Sequence, residues 1–115
     1  MPQEPLRIED LSGQKEGLRV LRLAGPIVIS NLFQFQSMVR ADTSRTLILD
    51  LTEVPYIDSA GIGALVGAYV THQKEGRSLA LAGVTERVRN TMQVTRVESF
   101  FKFYDNVAAA QGSAA

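Results

Sequence analysis

The chain of 115 residues has no cysteine and no tryptophan, and only one histidine, His72. Without cysteine there can be no disulfide, thiolate metal site, iron–sulfur cluster or cysteine nucleophile. One histidine leaves little for a zinc or acid–base site. No charge sign is in excess either, since 12 Lys+Arg offset 12 Asp+Glu. A nucleic-acid binder draws most of its affinity from a basic surplus, so that class is set aside. No apolar run reaches the ~18–20 residues that cross a bilayer. The first residues, MPQEPLRIEDLSGQKEG, lack the charged-then-apolar order of a signal peptide, so a cytoplasmic location is expected.

Hydrophobic residues make up 45% of the chain, too many for a disordered polymer, and the length suits one domain. The expected domain covers 1–115, with its core over about 4–107; 108–115 is a short helix or a frayed end with nothing to anchor it. Residues 6–9 and 18–23 alternate apolar and polar around the turn-like SGQKEG, which predicts an opening hairpin in which Leu18, Val20 and Leu23 face inward. Gly25-Pro26 ends the second strand. Ser30 is the expected N-cap of a helix carrying Val28, Leu32, Phe35 and Val39, closing near Ala41.

Residues 46–51 (TLILDL) read as a strand buried on both faces. The strongest helical pattern follows from Ser59, with Ile62, Leu65, Val66, Tyr69 and Val70 as its core stripe. His72, near the end of that helix, is expected to face solvent or the negative pole of the helix dipole. SLALA (78–82) predicts another buried strand. Thr85 is the expected cap of a helix bearing Val84, Val88 and Met92, and FFKFY (100–104) predicts the last strand. Arg87, Arg89 and Arg96 are interspersed with Glu86 and Glu98, which reads as a solvated face. Phe33 and Phe101 read as single exposed aromatics that complete packing. The order β-β-α-β-α-β-α-β-α predicts an α/β fold, a mixed β-sheet with helices packed on it.

The chemistry concentrates in Tyr56-Ile57-Asp58-Ser59-Ala60-Gly61-Ile62-Gly63-Ala64-Leu65. A phosphate-cradling loop would need a Gly-Lys pair, and there is none. Gly61, Gly63 and Gly67 give G-x-G-x-x-x-G, one residue too long for a dinucleotide fingerprint. The following strand ends in LALAG, without the required acid. No cofactor is expected. A serine nucleophile fails as well: His72 lies 13 positions along the same helix, about 20 Å from Ser59. Catalysis has no evident residues, and the expected class is a binding module.

What remains is a serine at a helix start beside the small residues Ala60, Gly61, Gly63, Ala64, Gly67 and Ala68. Those residues let the helix sit close to its own sheet, or let a partner backbone approach. Ser59 reads either as a plain N-cap or as a phosphorylation site at the positive end of the helix dipole, where Asp58 would repel the phosphate.

The stretch LILDLTEVPYIDSAGIGALV resembles the signature of the STAS domain, found in bacterial anti-sigma factor antagonists and in sulfate transporter tails, and the element order is similar over residues 4–107. The resemblance implies that Ser59 is phosphorylated by a serine-kinase anti-sigma factor, which binds the ATP itself. It implies a partner surface of Asp58, Ser59, Ala60, Gly61, Gly63 and Ala64. Unphosphorylated antagonist would sequester the anti-sigma factor and so regulate sigma-dependent transcription; phosphorylation would break the complex, and a phosphatase would restore it. Val28 stands where many antagonists carry an acid, and Ala60 where many carry a second Ser or Thr. The alternatives are a non-switching STAS subunit of a transporter-associated or signalling assembly, and a small-ligand-binding STAS domain.

Overall fold

The computed structural model describes residues 5–11 and 16–113. Five strands form one sheet in the order β1-β2-β3-β4-β5: β1 (Arg7–Asp10), β2 (Leu18–Ala24), β3 (Thr46–Glu53), β4 (Ser78–Ala82) and β5 (Lys102–Tyr104). β1 and β2 pair antiparallel, and β2 through β5 pair parallel. The expected mixed sheet and element order are therefore observed. Most of the turn expected at 12–17 lies outside the described residues.

The side-chain period of two divides the sheet into unequal faces. Leu21, Leu23, Leu47, Leu49, Leu51, Leu79 and Leu81 point to the main core, where α1 (Leu32–Ala41), α2 (Ser59–Lys74) and α3 (Glu86–Val94) pack. Val20, Ile48, Ala80 and Ala82 point the other way and are covered by α4 (Val107–Ser113) through Ala110. β3 is buried on both faces, as its unbroken apolar run predicts. Residues 108–113 do not fray: the alanine-rich run is helical, Ala110 is buried, and the Tyr104 hydroxyl donates to Ser113 Oγ at 2.8 Å. Ala110 packs there in one cluster with Val20, Ile48, Ala80 and Ala82.

Several expectations at element ends are corrected. Ser30 does not cap α1; it lies in a 3-10 turn, Ile29–Asn31, that leads into the helix. Thr85 does cap α3, its hydroxyl accepting from the Val88 N–H. The last strand starts later than FFKFY suggested, after a 3-10 turn at Glu98–Phe100. Phe101 is buried, whereas Phe33 is 84% exposed.

The buried face of α2 is turned from the stripe read in the sequence. Gly61, Ile62, Leu65, Ala68 and His72 face inward, while Val70 is exposed and Val66 and Tyr69 lie at the flank. Tyr69 stacks on Phe100 and meets Phe101 edge-on instead. The cause is close approach: small Gly61 and Ala68 draw that side of the helix against the sheet.

His72 is therefore buried rather than solvent-facing. Its Nδ1 donates to the Ala68 carbonyl at 2.7 Å, which turns Nε2 toward Asp42. Asp42 is itself buried and is bound by Arg77, Arg19 and the Ser44 hydroxyl. This cluster ties the end of α1 to the end of α2.

Candidate functional site

β3 delivers the chain to the start of α2 through Pro55 and Tyr56. Ile57 forms an isolated parallel bridge with Ile27, which lies just after β2. The Ile27 N–H donates to the Tyr56 carbonyl, and the Asp58 N–H donates back to the Ile27 carbonyl, both at 3.2 Å. Two segments far apart in sequence are thereby laced together directly beneath Ser59.

Asp58, not Ser59, is the N-cap of α2. Its backbone is extended, and Oδ1 accepts from the Gly61 N–H at 2.8 Å. Its other oxygen, Oδ2, accepts from the Ile29 N–H at 3.0 Å. One carboxylate thus satisfies an orphan donor of the helix and fixes the turn before α1. Ser59 becomes the first helical residue, with its side chain exposed. A phosphate there would sit in the first turn, at the positive end of the dipole, next to a committed carboxylate.

The residues expected to form a partner surface divide into two sets. Gly61 is buried, and a Cβ on it would collide with the Ile27 carbonyl oxygen and Ile57. It is a packing glycine and presents no side to a partner, which corrects its place in the expected surface. Asp58, Ala60 and Ala64 are half-buried, while Ser59 and Gly63 are exposed. A Cβ at Gly63 or at Gly67 would meet nothing within 4 Å. Of the two readings of the small-residue face, close packing holds for Gly61 and open surface holds for Gly63 and Gly67.

One neighbouring feature escapes sequence reasoning. Ile29 is 71% exposed and stands beside Asp58 through the bond just described. Phe33, four residues on, is exposed as its sequence reading expects. The solvated face expected on α3 is observed at Glu86 and Arg87, both exposed; Arg87 also lies over Tyr56, and Arg89 lies over Phe103 and pairs with Glu98. The Arg89 hydrogen bond, with help from Gln93, holds the Glu98 carboxyl below its ordinary value. Among the described residues there is no group of acids and histidine able to hold a metal, and no helix is long and apolar enough to cross a membrane.

The family model for the STAS domain matches residues 12–110. The chain belongs to the STAS domain family. A 49-residue segment of the chain is 39% identical to an anti-sigma-B factor antagonist of Listeria monocytogenes. That match spans 43% of this chain and 43% of the relative, less than half the relative's length.

Solved STAS domains share the fold along nearly the whole chain. A Thermotoga maritima protein described provisionally as an anti-sigma factor antagonist superposes with a TM-score of 0.83 at 21% identity, covering 92% of both chains. The Bacillus cell fate determinant SpoIIAA in its phosphorylated form gives 0.72 at 15% identity, over 96% of this chain and 99% of that one. The murine solute carrier 26 family member A9 anion transporter gives 0.78 at 24% identity, over 90% of this chain but 18% of the transporter. At these identities the likeness is one of fold.

Proposed function

We propose that this STAS domain is an anti-sigma factor antagonist, a cytoplasmic binding module without catalysis or cofactor of its own. In its unmodified state it sequesters an anti-sigma factor that is also a serine kinase. The kinase then transfers phosphate to Ser59: the Ser59 oxygen attacks the γ-phosphorus of ATP, the bond to ADP breaks, and a base on the kinase takes the hydroxyl proton. Phosphorylated antagonist is released, and a phosphatase returns it to the binding state. Asp58, Ser59, Ala60, Gly63 and Ala64 form the contact surface around the modified position.

The observation that carries this reading is the exposed Ser59 at the first position of α2, directly after the capping Asp58. A phosphate brings about −1.5 to −2 charges there, next to a carboxylate that cannot move without losing both of its backbone bonds. The added repulsion falls on the partner surface and lowers affinity. The similarity of the 49-residue segment to an antagonist supports the same reading. Incubating the protein with ATP and its anti-sigma factor kinase, then mapping phosphopeptides, tests it. Phosphate on Ser59 is expected; no transfer, or transfer to another residue, contradicts it.

A second reading is favoured by the shared fold with an anion transporter: a STAS subunit of a transporter-associated assembly. Ser59 then stays unmodified. Co-purification with transporter components, with no kinase recovered, would select it.

A further inference from the structure

We propose that the outer edge of β1 pairs with the same edge of a second copy of this chain, joining two five-stranded sheets about a two-fold axis at Ile8. β1 ends the sheet, with β2 on its inner side and no strand among the described residues on its outer side. The Leu11 N–H donates to the Val20 carbonyl, and the register runs from Asp10 opposite Leu21 to Arg7 opposite Ala24. Hydrogen-bonded pairs alternate along an antiparallel ladder, so Glu9 and Arg7 direct their backbone groups to β2. The N–H and C=O of Ile8 point outward, where no described residue pairs with them. Such an edge accepts a further strand unless its side chains forbid it.

Charge names the second copy as that strand. Arg22 stands in register between Asp50 and Glu9, 3.3 Å from the first and 3.6 Å from the second. Signs therefore alternate across three strands, negative on β3, positive on β2 and negative on β1. The row stops at the edge, and its next place calls for a cation. Arg7 is exposed and has no ion pair among the described residues. It shares the face of Glu9, two residues away.

With Ile8 opposite its own counterpart, Arg7 faces Glu9 of the partner subunit, and Glu9 faces Arg7 of the partner subunit. Both contacts fall at non-hydrogen-bonded pairs, where Cα atoms come within about 4.5 Å. The charged row then runs unbroken from β3 of one copy to β1 of the other. On the opposite face the two Ile8 side chains, each half-buried against its main core, extend the apolar side of both sheets.

Other registers are disfavoured. Moving the axis by one residue sets Arg7 against Arg7 or Glu9 against Glu9, and like charges directly opposite repel. The charges that turn away foreign strands thus admit this one register. The opposite edge, β5, has three residues and a single charge, Lys102, and offers no such match to itself. A two-fold contact closes at two copies. It uses no residue of the surface proposed around Ser59, so it stands or falls independently of that reading.

The test is sedimentation velocity over a concentration series on wild type, Arg7→Glu and Glu9→Arg, with melting curves for each. Wild type should pass from one copy to two as concentration rises. Each variant alone sets like charges opposite at both positions and should associate about tenfold or more weakly. Mixed one to one, the two variants again oppose unlike charges and should dimerise with each other. Both side chains are exposed, so melting should stay close to wild type, and recovery on mixing separates a lost contact from a lost fold. A wild type that stays monomeric, single variants that associate as it does, or a mixture that fails to dimerise overturns the proposal.

Discussion

Asp58 Oδ2 accepts from the Ile29 N–H at 3.0 Å while its Oδ1 accepts from the Gly61 N–H at 2.8 Å. The start of α2 and the turn before α1 are therefore set by one side chain. Asp58→Ala should lower stability by about 1–2 kcal/mol, the usual cost of losing a helix cap. Asp58→Asn keeps one acceptor oxygen but sets an NH2 donor against the other backbone N–H, so it should recover only part of it. Urea unfolding of the three proteins checks this.

Gly61 and Gly67 lie on one helix but should respond oppositely to alanine. Gly61→Ala drives a methyl group against the Ile27 carbonyl and should cost about 1–3 kcal/mol. Gly67→Ala meets open space and should gain up to about 1 kcal/mol from helix propensity. Thermal melts of the pair read both signs at once.

The Asp42 cluster predicts an asymmetric loss. Asp42→Ala removes the carboxylate that faces Arg19, Arg77 and His72 and leaves a guanidinium partly buried without it. About 3–5 kcal/mol should be lost. His72→Gln removes one bond to Ala68 and should cost less. Chemical denaturation of each variant separates the two.

Glu98 links stability to pH. Its carboxyl is lowered below the ordinary 4.5 by the Arg89 hydrogen bond, then by Gln93. The folded state thus holds the ionised form more strongly than the unfolded chain does. That contribution is fully present above the ordinary value and fades as pH falls through the lower folded value. The melting difference between wild type and Glu98→Gln should therefore be present at pH 7 and shrink below about pH 4.5.

Much of this was legible in the chain. The β3 run, the Thr85 cap and the α1 stripe of Leu32, Phe35 and Val39 follow from patterns the structure retains, whereas Val28 is buried but precedes the helix. The orientation of α2 was not, because size competes with hydrophobicity there. A stripe rule weighs Val70 above Gly61 and Ala68, yet close approach to Ile27 rewards the smaller residues. His72 followed the same error, since its burial depends on Asp42 and Arg77, 30 and 5 positions away. The cap was misplaced by one residue because Asp58 and Ser59 are both good caps, and only the bond to Ile29 favours the aspartate. Phe33 reads as exposed and is, whereas Phe101 is buried and Ile29 gives no sign of its exposure, because little in a lone sequence marks which apolar residue stays outside.

The most direct test of the proposed switch is calorimetric binding of the anti-sigma factor kinase to wild type, Ser59→Ala and Ser59→Asp. Ser59→Ala should bind like wild type. Ser59→Asp, which sets a second carboxylate beside Asp58 in the first turn of α2, should bind about tenfold or more weakly. Equal affinity for all three proteins would contradict the account.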